Sequence, residues 1–251
     1  MPRRHDADGG GDAALLAAKA RLRDEVWAAL RRAKAARFPG AEGRIPNFVG
    51  AEAAAERLRG VPAWEAARTV KANPDSPQWP VRQRALEDGK TLYMAVPRLA
   101  EAKPFFLLDP ARLVGSPRQA SSIKGASRSA VPVDVAELEP VDLVVAGCVA
   151  VAEDGSRLGK GGGFSDLELA AAAQAGLVAR STVVVTTVHE LQVLPAGAIP
   201  TTAHDIHVDF VVTPDRVVEC PRTRRYRPPQ LRWGELTEEK IAAIPLLQRL
   251  R

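Results

Sequence analysis

The chain has 251 residues, 46% of them hydrophobic, which is enough apolar material for one large α/β domain or two small ones. Its 35 basic and 30 acidic residues give a net charge of +5, a modest excess that suits anionic small molecules as well as nucleic acid. The two cysteines, Cys148 and Cys220, make neither a disulfide framework nor a metal site and fit a reducing cytoplasm. No apolar run reaches membrane-spanning length, and the polar N-terminus lacks a signal-peptide core.

The composition along the chain predicts three parts. Residues 1–12 are polar and glycine-rich and are expected to form a disordered lead-in, residues 13–221 a single α/β domain, and residues 222–251 a basic C-terminal extension. The extension begins with a basic, proline-containing stretch whose one aromatic residue is Tyr226. Nucleic-acid binding usually interleaves several aromatic side chains with basic ones. We therefore favour a solvated tail that packs on the domain over a nucleic-acid contact.

Hydrophobic periodicity predicts helices and strands that alternate. The first helix is expected over about residues 12–36, because Leu15, Leu22, Val26 and Leu30 recur at helical spacing. Residues 115–130, rich in serine, glycine and basic groups, predict a loop. Alternating elements of this kind favour a mostly parallel sheet with helices on both faces. Further predicted helices cover residues 51–59, 62–68, 81–87, 166–176 and 237–244, and predicted strands cover residues 69–72, 91–96, 105–108, 143–149, 182–188, 206–213 and 216–219.

The most informative segment is a run of glycines between two cations and a carboxylate. Residues 159–163, which we call the glycine bend, contain Lys160, follow Arg157 and precede Asp166. The apolar stretch before them and the Leu- and Ala-rich stretch after them predict a turn between a buried strand and a helix. Glycines there allow backbone N–H groups to approach an anion at the positive end of the helix. The lysine precedes the glycines, so the segment is not a Walker loop. From residue types alone, phosphate binding and a flexible loop are equally open.

Polar side chains collect at the predicted ends of strands, where open α/β sheets bind ligands. Asp75 follows one predicted strand, and Asp205 lies just before another. We predict that Asp166 and Asp205 hold Mg²⁺, which takes one or two carboxylates together with phosphate oxygens. Two structural roles compete with this prediction, since Asp166 could cap its helix and Asp205 could fix a turn. The histidines do not have the spacing of zinc ligands.

Four elements in order resemble the 5-formyltetrahydrofolate cyclo-ligases, also called methenyltetrahydrofolate synthetases, over about residues 15–213. A closer resemblance is to a divergent subgroup, the methenyltetrahydrofolate synthase domain-containing proteins. The family elements are Lys19–Arg23, Gly89–Lys90 with Pro97, residues 157–163 with Asp166, and Ile199–Pro200 with His204–Asp205. The subgroup elements are Arg44–Phe48, Asn73–Asp75, Gln78–Arg82 and Gly163–Glu168.

This resemblance implies a Rossmann-like three-layer α/β sandwich with a mostly parallel sheet, of the CoA-transferase-like type. It implies an ATP- and Mg²⁺-dependent ligase that converts 5-formyltetrahydrofolate to 5,10-methenyltetrahydrofolate in the cytoplasm. The implied partners are ATP and a folate-like small molecule, without nucleic acid or a membrane. The implied catalytic residues are Lys19, Arg157 and Lys160, and the implied substrate-binding residues are Asp75, Gln78 and Trp79. The implied nucleotide-binding residues are Lys19, Arg23, Arg157, Gly159, Lys160, Gly161, Gly162, Gly163, Phe164 and Asp166, and the implied metal ligands are Asp166 and Asp205.

The chain departs from the family pattern mainly on the folate side. The family usually has two tyrosines between the glycines and the aspartate, where this chain has Phe164 and Ser165. The folate-side glutamate of the family matches Asp75, which is one methylene shorter. Three functions therefore stay open. They are a cyclo-ligase for a formylated folate, an ATP-using enzyme of the same fold with another formyl or amide substrate, and a non-catalytic relative that binds nucleotide or nucleic acid.

Overall fold

The computed structural model describes residues 8–96, 101, 103–162, 164–202, 205–221, 230–231 and 233–251. The strands are β1 (Thr69–Ala72), β2 (Thr91–Ala95), β3 (Phe105–Leu108), β4 (Val131–Val133), β5 (Leu143–Val145), β6 (Ala150–Ala152), β7 (Arg157–Leu158), β8 (Val183–Thr187), β9 (Val193–Leu194), β10 (Phe210–Val212) and β11 (Val217–Glu219). The α-helices are α1 (Asp8–Arg32), α2 (Ala51–Arg59), α3 (Pro62–Ala66), α4 (Trp79–Glu87), α5 (Pro117–Ala120), α6 (Ile123–Ser129), α7 (Phe164–Gln174), α8 (Glu238–Ala243) and α9 (Pro245–Leu250).

The main sheet has eight strands in the order β11-β10-β8-β5-β1-β2-β3-β4. Its five central strands, β10, β8, β5, β1 and β2, are mutually parallel, and the outer strands β11, β3 and β4 pair antiparallel. A second sheet of three strands has the order β7-β6-β9. From β1 the chain moves outward through β2, β3 and β4, and then returns to the other side of β1 with β5. The direction of winding therefore reverses between β1 and β5.

Two apolar layers cover the main sheet, as the alternation of its side chains requires. Val70, Leu92 and Leu143 face α2, α3 and α4, whereas Tyr93 and Val144 face α7, α8 and α9. Helix α1 packs separately on the small sheet, against β6 and β7. The arrangement of helices, sheet and helices confirms the predicted three-layer α/β sandwich with a mostly parallel sheet.

Most predicted elements are present, some with shifted ends. Helix α2 and strands β1 and β3 have the predicted bounds, and α4 begins two residues earlier than predicted. Helix α1 covers residues 8–32, so it begins and ends four residues earlier than predicted. Residues 1–7 lie outside the described chain. The division into domain and extension stays a prediction, although α8 and α9 of the extension contribute buried side chains to the core on the α7 face.

The prediction of a loop over residues 115–130 was wrong. This stretch forms the two short helices α5 and α6, and each begins at a serine that caps it. The Ser116 hydroxyl accepts a hydrogen bond from the Gln119 amide, and the Ser122 hydroxyl accepts one from the Gly125 amide. Serines placed three residues before such amides satisfy the free N–H groups of a first helical turn. Two of the serines that favoured a loop therefore cap the first turns of two helices.

The prediction that one buried strand feeds the glycine bend was also wrong. The apolar stretch divides into β5, which ends at Val145, and a hairpin of β6 and β7 that belongs to the small sheet. The hairpin turns at Gly155, whose φ is +87°. Asp154 stabilises this turn by accepting a hydrogen bond from the Ser156 amide. The bend therefore lies between β7 and α7, and the hairpin carries Arg157 to the carboxyl ends of the main strands.

Within the described part of the chain, none of the helices is long and apolar enough to cross a bilayer.

Replacing Gly155 by alanine is expected to destabilise the protein more than the same change at Gly176. Both glycines have a positive φ, so alanine is strained at either position. A Cβ on Gly155 would lie 2.4 Å from the Val208 carbonyl oxygen, whereas a Cβ on Gly176 would meet nothing within 4 Å. We expect a loss of about 1 kcal/mol for Gly176→Ala and about 3 kcal/mol for Gly155→Ala, measured by urea unfolding. Equal losses would contradict the close contact at Gly155.

Candidate functional site

The candidate site lies where the winding of the sheet reverses. Open α/β sheets bind ligands in the crevice that forms there, outside the carboxyl ends of the two diverging strands. In this chain the two strands are β1 and β5. The loop after β1 contains Asp75 and Gln78, and the connection after β5 contains Gly147. The fold thus brings two of the predicted substrate-binding residues to this crevice.

Gly147 is required by the close approach of three segments. A Cβ at this position would lie 3.0 Å from Asp75 Oδ2, 3.0 Å from Gln78 Oε1 and 3.1 Å from Ile45 Cγ2. The carboxamide of Gln78 is completely buried, and neither its Oε1 nor its Nε2 has a hydrogen-bond partner in the described chain. A buried amide without a partner costs free energy. Gln78 is therefore the side chain of this crevice that a polar ligand would satisfy best.

Arg82 of α4 fixes the loop that follows β1. The side chain is 1% exposed and donates hydrogen bonds to the carbonyl oxygens of Asn73, Asp75 and Ser121, at 2.6, 3.0 and 2.9 Å. Burial lowers the pKa of Arg82 to about 10, and the nearby Asp75 carboxylate opposes this shift. The guanidinium therefore remains charged at neutral pH and ties the loop to α4 and α5.

Arg157 enters the site from the β6–β7 hairpin. Its guanidinium is 2% exposed, donates to the Gly147 carbonyl at 2.9 Å and forms an ion pair with Asp166. Its Nε has no hydrogen-bond partner among the described residues. Asp166 lies in the first turn of α7 and remains one-third exposed. Since α7 begins at Phe164, Asp166 lies inside the helix. It is therefore not the N-cap residue, which was the alternative role considered from the sequence.

Helix α1 contributes two further cations on adjacent turns. Lys19 is buried, and its Nζ lies 2.6 Å from Asp205 Oδ2. Arg23 donates through Nε to the Gly159 carbonyl at 2.7 Å. Its guanidinium also lies 3.6 Å from the place where a Cβ on Gly161 would stand, and Gly161 has a φ of +105°. Burial lowers the pKa of Arg23, and Asp24 and Asp205 oppose the shift. The basic face of α1 thus contacts the glycine bend.

Lys160 connects the glycine bend to the loop after β1. Its Nζ lies 3.9 Å from Asp75 Oδ1, and its side chain is half exposed whereas that of Asp75 is 19% exposed. Burial raises the pKa of Asp75, while Lys160, Arg82, Lys71 and Arg157 oppose the shift. The long distance and the exposure of Lys160 leave its ammonium group able to move to another partner.

A fully buried ion pair lies beneath these groups. Lys71 of β1 and Glu168 of α7 are joined by a 2.5 Å contact from Nζ to Oε1, with side chains 4% and 5% exposed. Burial raises the pKa of Glu168, and Lys71 is the main opposing charge. Lys71 lies on the face of the sheet that carries Tyr93 and Val144, which are its register partners on the neighbouring strands. The pair thus lies in an apolar layer.

The two predicted magnesium ligands are paired with different cations, Asp166 with Arg157 and Asp205 with Lys19. Asp205 Oδ2 also accepts hydrogen bonds from the backbone amide and hydroxyl of Thr202, so the turn-fixing role is present as well. No cluster of three or more metal-binding side chains occurs in the described chain. This donor set does not suit a metal held by protein ligands alone. It does suit Mg²⁺, which uses one or two carboxylates and takes the remaining ligands from phosphate and water.

Trp79 and three polar side chains that follow β8 already have structural partners. Trp79 donates through Nε1 to the Arg118 carbonyl at 3.0 Å, and the Arg118 guanidinium stacks 4.7 Å from its ring centre. Three side chains after β8 have structural partners: His189 caps a turn, Gln192 donates to two backbone carbonyls, and Glu190 pairs with Arg216. Gly163 and His204 lie outside the described residues, as do the side chains of Phe164 and Ser165.

A groove of about 550 Å³ lies at the opposite end of the sheet. It is lined in part by Trp64, Asp88 and Lys90, which precede β1 and β2. Asp88 already accepts hydrogen bonds from Arg59 and Trp64, and Lys90 donates to the Ala67 carbonyl. These polar groups therefore already have partners, and the groove lies at the amino ends of the strands, away from the crevice where open α/β sheets bind ligands.

The sequence analysis gave no site role to four residues around the crevice, namely Lys71, Arg82, Gly147 and Glu168, although Arg82 and Glu168 end two of the subgroup elements. Lys71 had a visible signal, because a lysine in the middle of a strand flanked by Val70 and Ala72 breaks the apolar pattern of a buried strand. Glu168 had a similar signal in the Leu- and Ala-rich helix. The sequence does not show that these two residues pair, because they lie 97 positions apart along the chain.

Arg82→Met is expected to destabilise the protein strongly, because the change removes three hydrogen bonds to backbone carbonyl oxygens, two of them buried. We expect a loss of at least about 3 kcal/mol in the free energy of unfolding. Arg84→Met, two residues along the same helix, removes partly exposed pairs with Glu56 and Glu87 and should cost less than about 1 kcal/mol. Urea unfolding of both variants tests this, and similar midpoints would mean that Arg82 does not hold the loop.

Comparison with known proteins gives consistent results. The model of the 5-formyltetrahydrofolate cyclo-ligase family matches residues 16–214. Methenyltetrahydrofolate synthase domain-containing proteins of Mus musculus and Bos taurus are 38% and 37% identical over 93% and 92% of this chain, which covers 63% and 61% of their lengths. The chain therefore spans about three-fifths of these curated relatives.

The fold is also that of a solved structure. The NMR structure of Aquifex aeolicus 5,10-methenyltetrahydrofolate synthetase matches with a TM-score of 0.52 and 23% identity, over 83% of this chain and 96% of that one. This likeness supports the fold alone. The family match rests on the sequence, and it includes Lys19, the glycine bend, Asp166 and Asp205. The chain belongs to the 5-formyltetrahydrofolate cyclo-ligase family.

Proposed function

We propose that this chain catalyses the ATP-dependent closure of 5-formyltetrahydrofolate to 5,10-methenyltetrahydrofolate. One observation carries the proposal. Four cations come from three separate segments, and each contacts the glycine bend or a group proposed to bind ligand. Arg23 of α1 binds the Gly159 carbonyl, and Arg157 of β7 binds the Gly147 carbonyl. Lys19 of α1 pairs with Asp205, and Lys160 of the bend pairs with Asp75. Cations that converge on flexible backbone at the start of a helix suit a polyphosphate.

The phosphate groups of the nucleotide would lie against the glycine bend. Gly161 adopts a φ of +105°, which side chains rarely adopt, and it lies beside the guanidinium of Arg23. The bend runs into α7, whose amino end carries partial positive charge. Lys160 is the cation with the most exposed side chain in this group and can reach the transferring phosphate. Arg157 is held by the Gly147 carbonyl and would form a fixed wall of the site.

Asp166 and Asp205 would hold Mg²⁺ that arrives with the nucleotide. Mg²⁺ would neutralise charge that develops between the phosphates. Both carboxylates are only partly exposed and are paired with cations. Binding the magnesium nucleotide would exchange these partners, so that each carboxylate meets the metal and each cation meets phosphate. The exchange would keep the buried charges neutralised, as a desolvated site requires.

The second substrate would bind beside Asp75 and Gln78. The carboxylate accepts hydrogen bonds, and the unpartnered carboxamide both donates and accepts them. Together they suit the edge of a ring that carries N–H groups beside a carbonyl, which a pterin has. Trp79 has its indole N–H occupied by Arg118, so its remaining contribution would be ring surface.

The reaction needs positioning and charge neutralisation more than covalent help from the protein. The formyl oxygen attacks the γ-phosphorus, and ADP leaves. N10 then attacks the formyl carbon and loses its proton, the ring closes, and inorganic phosphate departs with the former formyl oxygen. Lys160 and Arg157 would offset charge on the transferred phosphoryl group. Asp75, whose pKa is raised by burial, is the nearby carboxylate able to accept a proton.

The alternative to the cyclo-ligase is an ATP-using enzyme that acts on a different second substrate, and features of the crevice favour it. Phe164 and Ser165 stand where the family usually has two tyrosines, and Gln78 offers a buried amide to the ligand. Incubation with ATP, Mg²⁺ and 5-formyltetrahydrofolate, followed by the near-ultraviolet absorbance of the methenyl product, separates the two proposals. Product formation supports the cyclo-ligase. Nucleotide binding without product supports another formyl or amide substrate, and the absence of nucleotide binding contradicts both.

Lys160→Ala is expected to weaken the binding of a non-hydrolysable ATP analogue by about 10- to 100-fold, since it removes a charged hydrogen-bond donor. Lys103→Ala is the matched control. Lys103 also pairs with a carboxylate at the surface, 3.0 Å from Glu137. Calorimetric titration at constant Mg²⁺ measures both variants. An unchanged affinity for Lys160→Ala would remove the phosphate role from this residue.

Asp166→Asn and Asp205→Asn are each expected to reduce the gain in nucleotide affinity that Mg²⁺ provides by about tenfold. In the presence of EDTA the same variants should bind the analogue as well as the wild type or better, because Arg157 or Lys19 loses its competing carboxylate. Asp109→Asn removes an exposed carboxylate that pairs with Arg112 and serves as control. Equal losses with and without Mg²⁺ would contradict metal binding by these carboxylates.

A further inference from the structure

An exposed arginine beside the crevice has no part in the chemistry proposed above. Arg118 of α5 stacks its guanidinium 4.7 Å from the ring centre of Trp79, and Trp79 Nε1 donates to the Arg118 carbonyl at 3.0 Å. Trp79 is the first residue of α4 and directly follows Gln78. The Oε1 of Gln78 lies 3.0 Å from the place where a Cβ on Gly147 would stand. These contacts put a cation at the edge of the region proposed to bind the second substrate.

The guanidinium of Arg118 keeps most of its hydrogen-bond donors unused. Within the described chain it forms no ion pair, and Nη1 makes a long hydrogen bond to Gln83 Oε1 at 3.4 Å. Stacking on an aromatic ring engages the face of a guanidinium and leaves the N–H groups at its edge available. A carboxylate binds such an edge through two parallel hydrogen bonds. Arg118 is therefore ready to bind an anion without leaving Trp79.

The stretch of chain around Arg118 is basic throughout. Residues 110–133 contain four Arg or Lys residues and neither aspartate nor glutamate. A surface with cations and without carboxylates attracts anionic ligands. The four cations are Arg112, Arg118, Lys124 and Arg128, and all of them are exposed.

Helix α5 is fixed to the wall of the crevice. Ser116 caps its first turn, and the carbonyl oxygen of Ser121, which follows its last residue, accepts a hydrogen bond from Arg82 at 2.9 Å. The same guanidinium donates to the Asp75 carbonyl at 3.0 Å. The buried Arg82 thus joins the helix that carries Arg118 to the loop that carries Asp75. Arg118 has a defined position relative to the proposed substrate site, although its side chain is exposed.

The proposed substrate is charged at the end remote from its pterin ring. 5-Formyltetrahydrofolate continues from the ring into a benzoyl group and then a glutamate with two carboxylates. Beside the crevice the chain offers a polar carboxamide at Gln78, an aromatic ring at Trp79 and a cation at Arg118, in the same order. We propose that Arg118, held against Trp79, binds a carboxylate of this tail and makes the site specific for a substrate with an anionic tail. The inference rests on the proposed function for the place of the ring.

The test compares two ligands that differ only in the charge of the tail. They are 5-formyltetrahydrofolate and its diamide, in which both glutamate carboxylates are replaced by carboxamides. Arg118→Gln removes the cation and keeps a polar side chain, and Arg118→Lys keeps a charge without the planar fork. Arg112→Gln is the matched control. Arg112 is exposed, lies in the same basic stretch and already pairs with Asp109.

The first measurement is calorimetric titration of each ligand in the presence of Mg²⁺ and a non-hydrolysable ATP analogue. The wild type is expected to bind 5-formyltetrahydrofolate about tenfold more tightly than the diamide, and added salt should reduce this preference. Arg118→Gln should lose the preference by weakening the binding of 5-formyltetrahydrofolate alone. Arg118→Lys should keep part of it, and Arg112→Gln should keep all of it. A wild type without the preference, or an Arg118→Gln variant that retains it, would overturn the proposal.

The second measurement is steady-state kinetics with 5-formyltetrahydrofolate. Arg118 would contact the tail equally before and during the reaction, so its loss removes uniform binding. Arg118→Gln is expected to raise KM by about tenfold and to leave kcat unchanged. A purely structural role for the stack would instead disturb the crevice and lower kcat with both ligands. A fall in kcat without a change in the preference for the charged tail would contradict the proposal.

Failure of the proposed function is distinguishable from failure of this inference. A wild type that binds 5-formyltetrahydrofolate without forming the methenyl product contradicts the cyclo-ligase, while the titration of the two ligands still tests Arg118. Product formation with the same KM in the wild type and Arg118→Gln contradicts this inference alone. A wild type that binds neither ligand contradicts both.

Discussion

The neutralisation of buried charge is the constraint on which the candidate site depends. Charged groups at the carboxyl ends of β1 and β5 are removed from water, and each therefore needs an opposite charge or several hydrogen bonds. The chain provides these partners from distant segments, as in the pairs of Lys19 with Asp205 and of Lys71 with Glu168. Two cations, Arg23 and Arg82, bond to backbone carbonyls instead of carboxylates. The site therefore keeps an excess of positive charge, which suits an anionic ligand.

The topology of the sheet explains why these segments meet. The reversal of winding between β1 and β5 opens a crevice, and the loops on its two sides approach each other at Gly147. The hairpin of β6 and β7 then carries Arg157 back to the crevice, where its guanidinium binds the Gly147 carbonyl. Helix α1 packs on the small sheet that contains this hairpin, which directs Arg23 to the glycine bend. The small sheet thus aligns the cations of α1 with those of the bend.

Local patterns in the sequence were enough to predict the architecture. The strand β1, the alternation of strands and helices, and the importance of the glycine bend followed from periodicity and residue type. The hairpin at Gly155 did not, because its apolar strands continue the apolar pattern of β5, and only the Asp154-Gly155 pair marks the turn. The pairing of Lys71 with Glu168 also could not be predicted, since it depends on which face of the sheet receives α7. Tertiary packing determines which charged residues from distant parts of the chain form pairs.

The cations of the site differ in how freely they can change partners, and this difference separates the exposed cation from the buried ones. Lys160 is half exposed, and its Nζ lies as far as 3.9 Å from Asp75 Oδ1, so a phosphate could compete for it at little cost. Arg82 and Lys71 are buried and tightly held, so they keep their places whatever binds. Under the proposed function, a nucleotide that draws Lys160 away would take one cation from Asp75, while Arg82 would stay bound to the Asp75 carbonyl. Asp75 thus lies between the bend and the crevice, where the two halves of the candidate site meet.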